Sequence, residues 1–346
     1  MEHRIALLGF GVVGQGLAEI LRDKSYALRS GLGFDGLIVA ISDPMKGSLY
    51  HPEGLDLGQA LKAVKDTGTL DAYPDSPGLI RGWDSFQTIR ESNAETIVEI
   101  TFTDVKTGQP AIDHCRAAFQ CQKNVVMSNK GPVALAYQEL SQLAKEKGVR
   151  WGYEGTVMSG TPALRMPIVA LAGNEISEVK GILNGTTNYI LTKMEEGYTY
   201  EDALKEAQSL GYAEADPTSD VEGYDAQYKV VILANVVMNT PLKRDQVSCD
   251  GISSLTPQDI ESARSQGKRW KLIGRARKEG EQVVASVAPE MIPVTDPLAG
   301  IMGATNAVTY DCDLAGPITL VGAGAGRKET GFSILIDLIN IAREQL

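Results

Sequence analysis

The sequence predicts an α/β protein in which a doubly wound parallel sheet is followed by a second, mixed α+β domain. A short apolar strand, Arg4–Leu8, opens the chain and leads through a glycine-rich turn into a helix. Strands and helices then alternate as far as about residue 147, which is typical of a parallel sheet with helical crossovers. After residue 149 that alternation stops. Because the chain has 346 residues, its length suits about two domains.

The turn after the first strand has the spacing G-x-G-x-x-G, formed by Gly9, Phe10, Gly11, Val12, Val13 and Gly14. At this spacing the first glycine permits a tight turn and the second lets a pyrophosphate approach the backbone. The third allows helix and strand to pack closely, and the helix N-terminus offers amide hydrogens to phosphate. The segment therefore predicts a Rossmann-type site for a dinucleotide.

The choice between NAD and NADP depends on the end of the next predicted strand, Leu37–Ile41. Asp43 follows that strand and is suited to bind the ribose hydroxyls of NAD. It lies farther from the glycines than the usual ~20 residues, so a plain turn aspartate is the alternative. Lys46 could instead contact the 2′-phosphate of NADP. The sequence leaves both cofactors open.

Two more strand ends belong to the predicted nucleotide site. The elements concerned are strands at Ile97–Thr101 and Asn124–Ser128, a helix at Thr107–Gln122, and a helix from Val133 to about Lys147. Ligands bind at the carboxyl ends of parallel strands, and Thr101 and Lys130 lie at such ends. A lysine after a strand is also common as a solvated loop residue.

The second region predicts a mixed sheet with helices. Its elements are strands at Glu178–Leu183, Trp270–Arg277, Gln282–Ala288 and Ala307–Asp311, and helices at Tyr189–Glu196 and Tyr200–Leu210. We expect a strand at Ile318–Val321, the glycine-rich run Gly322–Gly326 and an apolar helix to return the chain to the first domain. The alternatives for the glycine-rich run are a second phosphate loop and a plain flexible loop. We therefore expect a dinucleotide-binding domain of residues 1–152 with 316–346, and a substrate-binding domain of residues 153–315.

The stretch Ala207–Lys229 is acidic and ends on a single lysine. Its five acids are Glu214, Asp216, Asp220, Glu222 and Asp225. The following residues predict a helix that is apolar on one side, and a start near Gly223 places Asp225 and Lys229 one turn apart on a shared face. An ammonium beside a carboxylate can pass a proton, and the loop acids can hold a cationic group. The alternative is a solvated acidic loop with an exposed ion pair.

Composition excludes several classes of protein. The net charge is −11 and the sequence pI is about 4.9, which disfavours partners such as nucleic acid or an anionic membrane surface. The four cysteines have neither zinc-site nor disulfide-framework spacing, so we expect reduced thiols in a cytoplasmic protein. The first residues lack the apolar stretch and small-residue cleavage site of a signal peptide, so we expect none. None of its three histidines is well placed as an acid–base group, which leaves Lys229 as the candidate.

The acidic stretch resembles the signature of homoserine dehydrogenase. The matching residues are Ala207, Gly211, Tyr212, Ala213, Asp216, Pro217, Asp220, Val221, Gly223, Asp225 and Lys229. The stretches TDVKTG (103–108), NKGP (129–132) and NGTTNY (184–189) resemble the same family, as do the glycines at 9–14 and 322–326. The resemblance spans nearly the whole chain.

The resemblance implies reversible, NAD(P)-linked interconversion of L-homoserine and L-aspartate 4-semialdehyde, in the biosynthesis of threonine and methionine. It implies Lys229 as general acid/base with Asp225 beside it. The implied substrate residues are Gly185, Thr186, Glu214, Asp220 and Lys130, and the implied further cofactor residues are Thr101, Thr103, Lys130 and Gly326. It also implies a sodium ion at Glu154, Val157, Ser159 and Thr161, and a homodimer formed through the second domain.

Two features depart from the family. Arg327, Lys328 and Glu329 stand where relatives carry smaller residues, and the chain ends after its last helix, so we expect no threonine feedback through a C-terminal ligand-binding domain. Two other functions compete with the dehydrogenase. A non-catalytic dinucleotide sensor has no need of Lys229 and Asp225, and a phosphorylating aldehyde dehydrogenase needs an activated cysteine. Cys115 has His114 next to it, but consecutive helical residues do not face each other.

Overall fold

A computed structural model of the chain describes residues 2–104 and 106–344. It contains two compact units, one of residues 1–160 with 326–346 and one of residues 161–325. The structure has the unit boundaries at 160/161 and 325/326, whereas the sequence predicted them nearer the N-terminus, at 152/153 and 315/316. No helix in the described ranges is both long and apolar enough to cross a membrane.

The strands form one sheet in each unit. The first unit has β1 (Glu2–Leu8), β2 (Asp35–Asp43), β3 (Gly47–Tyr50), β4 (Ile80–Arg81), β5 (Thr96–Glu99), β6 (Asn124–Met127) and β7 (Trp151–Gly152). The second has β8 (Ile176–Ile182), β9 (Val247–Cys249), β10 (Lys268–Glu279), β11 (Gln282–Pro293), β12 (Thr305–Cys312) and β13 (Gly316–Ala323).

The helices are likewise divided between the units. The first unit has α1 (Val12–Leu32), α2 (Leu57–Thr67), α3 (Ser85–Glu91), α4 (Ala111–Gln120), α5 (Lys130–Leu135), α6 (Tyr137–Lys147) and, from the end of the chain, α12 (Arg327–Ala342). The second has α7 (Gly185–Glu195), α8 (Tyr200–Ser209), α9 (Thr218–Val221), α10 (Tyr224–Val236) and α11 (Pro257–Ser265).

The first unit is the predicted doubly wound domain. Its strand order is β4-β3-β2-β1-β5-β6-β7, and the five neighbours β2, β1, β5, β6 and β7 pair in parallel. The prediction of a Rossmann-type α/β fold is confirmed. Antiparallel β3 and β4 extend one edge of the sheet.

Helix boundaries in this unit differ from the predicted ones. The helix expected from Thr107 begins only at Ala111, because Pro110 occupies its N-cap and proline suits the start of a helix rather than its interior. The helix expected from Val133 is two helices, since Ala136 leaves the helical conformation at φ −138°. Helix α12 packs against α1, where a side chain at Gly331 would lie 2.8 Å from the Leu17 amide nitrogen.

The second unit has a six-stranded sheet in the order β13-β12-β8-β10-β11-β9. Only the β9–β11 pair is parallel among the described strand pairs of this sheet. Strand β13 was expected to return to the first domain, but it pairs along its length with β12. The short connection between them accounts for this, because antiparallel neighbours need only a tight turn.

Helix α10 lies against the sheet of this unit. A side chain at Gly274 of β10 would lie 2.7 Å from Val230 of α10, so the glycine lets helix and strand approach closely. The sequence predicted that only one side of this helix is apolar and buried. Every residue from Ala226 to Val236 is buried, because α10 is enclosed on all sides, and so is the polar side chain of Lys229.

Candidate active site

The conformation of the glycine turn in the first unit depends on the absence of side chains at Gly9 and Gly14. Gly9 has φ 103°, and a Cβ there would lie 2.7 Å from the Ile100 carbonyl oxygen. A Cβ on Gly14 would lie 2.9 Å from the Gly9 carbonyl oxygen, whereas one on Gly11 would meet nothing within 4 Å. Gly11 is the N-cap residue of α1, and it has no side chain that could bind the first amides of the helix. The turn therefore offers open backbone at a helix N-terminus, which fits a dinucleotide phosphate.

Asp43 closes this turn from the end of β2. Its Oδ2 accepts a hydrogen bond from the Phe10 amide at 2.7 Å, and its Oδ1 accepts from the amides of Met45 and Lys46 at 2.9 and 3.0 Å. The Phe10 ring is fully buried, whereas Val12 is 61% exposed. The Asp43 carboxylate therefore lies beside the glycine turn and orders it, and its contact with a ribose stays a prediction.

The end of β5 is tied to a buried histidine. Glu99 is fully buried, and its Oε1 accepts hydrogen bonds from the amide and hydroxyl of Thr101 at 2.9 and 2.5 Å. Its Oε2 lies 2.5 Å from His114 Nδ1, and Asn129 Nδ2 donates to the Thr101 carbonyl at 3.3 Å. The network fixes the backbone of Thr101 where β5 ends.

Three other predicted cofactor residues occupy the same unit. Thr103 is half-buried in the loop after β5, and Lys130 is the first residue of α5, directly after Asn129. Gly326 caps α12 at φ 146°. Arg327, which departs from the family pattern, binds Glu19 of α1 through Nη2 at 2.8 Å, so its side chain serves the packing of α12 on α1.

The residues expected to bind sodium divide between the units. Glu154 and Ser159 are buried in the first unit, where the Glu154 amide donates to Asp337 Oδ2 at 2.9 Å. Ser159 has φ 52°, and its Oγ lies 2.8 Å from Thr330 Oγ1. Thr161 belongs to the second unit, where its Oγ1 donates to the Ala323 carbonyl at 3.3 Å. Oxygen donors of this kind suit a hard cation.

Lys229 is buried on α10, with two hydrogen-bond acceptors around its ammonium. Its Nζ donates to Asp225 Oδ2 at 2.6 Å and to the Leu183 carbonyl oxygen, just beyond β8, also at 2.6 Å. The residue is only 6% exposed. Two acceptors therefore point the ammonium in a set direction. The predicted pairing of Asp225 with Lys229 is present, with the lysine buried and the aspartate partly buried.

Asn184 joins this pair to the acidic loop. Its Nδ2 donates to Asp220 Oδ1 at 2.7 Å and to Asp225 Oδ2 at 3.1 Å, while its Oδ1 accepts from the Thr187 amide at 2.9 Å and so caps α7. Burial raises the pKa of Asp220 above its usual range, and the nearby Asp225 carboxylate raises it further. Hydrogen bonding from Asn184 and the charge of Lys229 oppose that shift.

The remaining predicted substrate residues lie around this network or beside it. Gly185 opens α7, and a Cβ there would lie 2.7 Å from the Ala304 carbonyl oxygen. Thr186 Oγ1 donates to the Tyr212 carbonyl at 2.5 Å, which ties α7 to the acidic loop. Glu214 is exposed on that loop, and its backbone carbonyl accepts a hydrogen bond from Gln208 at 3.1 Å.

Comparison with known proteins decides the family. The homoserine dehydrogenase family model matches residues 162–339. An NAD(+)-dependent homoserine dehydrogenase of Pseudomonas canavaninivorans is 44% identical over 98% of this chain and 96% of its own length. The chain belongs to the homoserine dehydrogenase family.

Solved homoserine dehydrogenases share the fold. A putative member from Archaeoglobus fulgidus superposes with a TM-score of 0.88 at 37% identity, over 98% of this chain and 99% of its own. A hyperthermophilic archaeal homoserine dehydrogenase in complex with NADPH gives 0.83 at 30% identity, over 99% and 98%. The chain is therefore an NAD(P)-dependent oxidoreductase that interconverts L-homoserine and L-aspartate 4-semialdehyde, which confirms the predicted activity.

Three groups of this homoserine dehydrogenase site were missed from the sequence. Asn184 was noticed only as part of a family stretch, although an asparagine directly before a helical segment is a capping signal. The Leu183 carbonyl could not be found, because backbone acceptors leave no mark in a sequence. Glu99, a charged residue inside a buried strand, was a visible signal that went unused.

Proposed function

We propose that Lys229 is the general acid/base of the homoserine dehydrogenase reaction and that Asp225 orients it. The observation that carries this proposal is the Lys229 ammonium, buried and held at 2.6 Å by both Asp225 and the Leu183 carbonyl oxygen. A bound nicotinamide supplies or accepts the hydride. Lys229 gives a proton to the oxygen of the semialdehyde in reduction and takes the hydroxyl proton of homoserine in oxidation.

Replacing Lys229 tests the role directly. We expect Lys229→Ala to lower kcat by about 10²–10⁴, the usual contribution of a general acid or base. Lys229→Arg keeps the positive charge but cannot release a proton, so it should be similarly inactive. The dissociation constant for NAD(P)H should stay near that of the native protein in both variants. Near-normal turnover by either variant refutes the proposal.

We propose that the acidic loop receives the substrate ammonium. Asp220 is held by Asn184 within the same network as Lys229, and a carboxylate is the natural partner of an ammonium. Glu214 adds negative charge from the exposed loop. Gly185 and Thr186 begin α7, and first-turn amides lack intrahelical partners, so they can donate to the substrate carboxylate. Lys130 would contact substrate and nicotinamide.

For the cofactor we propose a preference for NAD. The Asp43 carboxylate lies at the end of β2 beside the glycine turn, where its charge suits ribose hydroxyls and repels a 2′-phosphate. Asp43→Asn removes the charge and keeps one of the two oxygens that accept from the backbone amides. We expect this variant to raise kcat/KM for NADP+ relative to NAD+. An unchanged ratio, or a native preference for NADP+, contradicts the assignment.

We also propose a sodium ion at the buried turn of Glu154, Val157 and Ser159, with Thr161 as the fourth residue by family likeness. The left-handed backbone of Ser159 supports this, because strained conformations concentrate at functional sites. Exchanging sodium chloride for tetramethylammonium chloride should lower the melting temperature as well as activity. The same melting temperature in both salts argues against the ion.

We propose a homodimer in the cytoplasm. The second unit's sheet carries Val284 and Val321 on one face, 49% and 53% exposed, and apolar faces of this kind mark interfaces. The four cysteines are free thiols, as expected of a reducing compartment. Light scattering that gives the mass of a single chain at micromolar concentration rules out a stable dimer.

A further inference from the structure

A cavity that is separate from the Lys229 network lies within the second unit. It has a volume of about 240 Å³ and is bounded by the last turn of α7, by α11 and by the first residues of β10. Lys229, Asp225 and Asp220 do not line it. Drug-sized ligands need about 300–1,000 Å³, so this cavity suits a smaller metabolite.

The cavity is cationic although the whole protein is acidic. Arg264, Lys268 and Arg269 line it. Arg269 is committed, since its Nη1 donates to the Ala299 carbonyl at 3.1 Å. Neither Arg264 nor Lys268 has an ion-pair partner in the ranges that the structure describes. Two cationic side chains are therefore available to bind a carboxylate.

One acid faces these cations. Glu195, the last residue of α7, places its Oε2 at 3.4 Å from Arg269 Nε. Its Oε1 is buried and has no hydrogen-bond partner among the described residues. Leaving a buried charged acceptor unsatisfied is unfavourable. A ligand ammonium in the cavity would be attracted by the negative charge of this carboxylate, whose side chain is 18% exposed.

The other walls are apolar. Trp270, Ile260 and Val294 line the cavity, and Trp270 is held in place because its Nε1 donates to the Asp259 carbonyl at 3.1 Å. An indole fixed in this way is a rigid platform for an aliphatic group, since aromatic side chains bury large apolar area. The cavity therefore combines a site for an anion, a site for a cation and an apolar wall.

We propose that this cavity binds the zwitterion of a small α-amino acid with an aliphatic side chain. The ligand's carboxylate contacts Arg264 and Lys268, its ammonium pairs with the Glu195 carboxylate, and its side chain lies on Trp270. The site is distinct from the homoserine site on α10 and does not depend on the role proposed for Lys229.

Calorimetric titration of the full chain with L-valine, L-leucine and L-isoleucine tests the proposal. We expect saturable binding of one ligand per chain by at least one of the three. For L-leucine, the analogue without the amine (4-methylpentanoate) and the analogue without the carboxylate (3-methylbutylamine) should each bind at least about tenfold more weakly, since each loses a charged hydrogen bond of about 1.5–3 kcal/mol. No saturable binding by any of the three up to about 10 mM overturns the proposal.

Variants separate this cavity from the catalytic site. Arg264 is exposed, so Arg264→Ala should fold normally and weaken binding about tenfold or more. Arg277→Ala is the matched control, because Arg277 lies on the same strand outside the cavity and binds Glu279; it should change nothing. Binding that survives Arg264→Ala but is lost in Asp220→Asn places the ligand at the homoserine site and refutes the inference. If 4-methylpentanoate binds as tightly as L-leucine, the cavity binds anions without recognising the ammonium, and the proposal is also refuted.

Discussion

The two units build their candidate sites from different materials. In the first unit the turn of Gly9, Gly11 and Gly14 works through missing side chains, which expose amides and let strand and helix approach. In the second unit the site consists of side chains, with Lys229 held by Asp225 and a carbonyl and Asn184 bridging two carboxylates. A backbone site should fail when atoms are added, and a side-chain site when charges or donors are changed.

The largest effect should come from adding one methyl group to the glycine turn. Gly9→Ala places a Cβ 2.7 Å from the Ile100 carbonyl in a backbone with φ 103°, so we expect a loss of about 2 kcal/mol or more in the free energy of unfolding. Gly11→Ala is the matched control for stability, because its Cβ meets nothing within 4 Å. That methyl group should instead obstruct the pyrophosphate and weaken NAD(P)H binding.

Denaturant unfolding and fluorescence titration of NAD(P)H separate the two outcomes. Gly11→Ala should unfold at the native denaturant midpoint and bind the cofactor at least about tenfold more weakly. If it binds NAD(P)H normally, the backbone at Gly11 does not contact the phosphates. If Gly9→Ala is as stable as the native protein, the turn can relax and the steric account of the first unit is wrong.

Smaller effects on stability and kcat/KM are expected from substitutions of Asn184. This residue both caps α7 and donates to two carboxylates, and different substitutions separate the two roles. Asn184→Ala removes the cap of α7, worth about 1 kcal/mol, and also the donor to Asp220 and Asp225. Asn184→Asp can still cap the helix but places a third carboxylate in the network. We expect Asn184→Asp to keep the native melting temperature and yet lose about 10–10² in kcat/KM, at least as much as Asn184→Ala.

Steady-state kinetics at several homoserine concentrations checks this expectation. An Asn184→Asp enzyme with native kcat/KM would mean that only the cap matters and that the amide donor is dispensable. Loss of stability in Asn184→Ala alone, with native activity after correction for folded protein, points to the same conclusion.

The difference between the units also explains how much could be read from the sequence. The strand at Arg4–Leu8, the glycine turn and the start of the following helix were predicted because each requirement of the turn falls on consecutive residues. Asp225 and Lys229 were predicted because helical spacing alone brings them together. The Leu183 carbonyl joins them only because β8 ends beside α10, and nothing local in the sequence encodes that contact. Strand β13 was misassigned for the same reason, since its sheet was decided by pairing with β12.

The smallest effect should appear at Asp220, as a dependence on pH. Burial raises its pKa in the folded protein, so between the ordinary and the raised value the folded state binds a proton that the unfolded state does not. The stability that this proton contributes is present below the unfolded pKa and is lost as pH rises through the folded one. Asp220→Asn should therefore not lower the melting temperature at pH 7, because it replaces a carboxylate that burial disfavours.

Homoserine binding should depend on pH in the opposite sense to stability, and should weaken as pH falls. If the Asp220 carboxylate receives the substrate ammonium, 1/KM falls as pH drops through its raised pKa, and Asp220→Asn raises KM about tenfold and flattens that acid limb. Asp216→Asn is the control, since Asp216 is exposed on the same loop and binds Thr218; its KM should be native. A native KM and an unchanged pH profile in Asp220→Asn would show that the acidic loop does not hold the substrate, and the side-chain site would then reduce to Lys229 and Asp225.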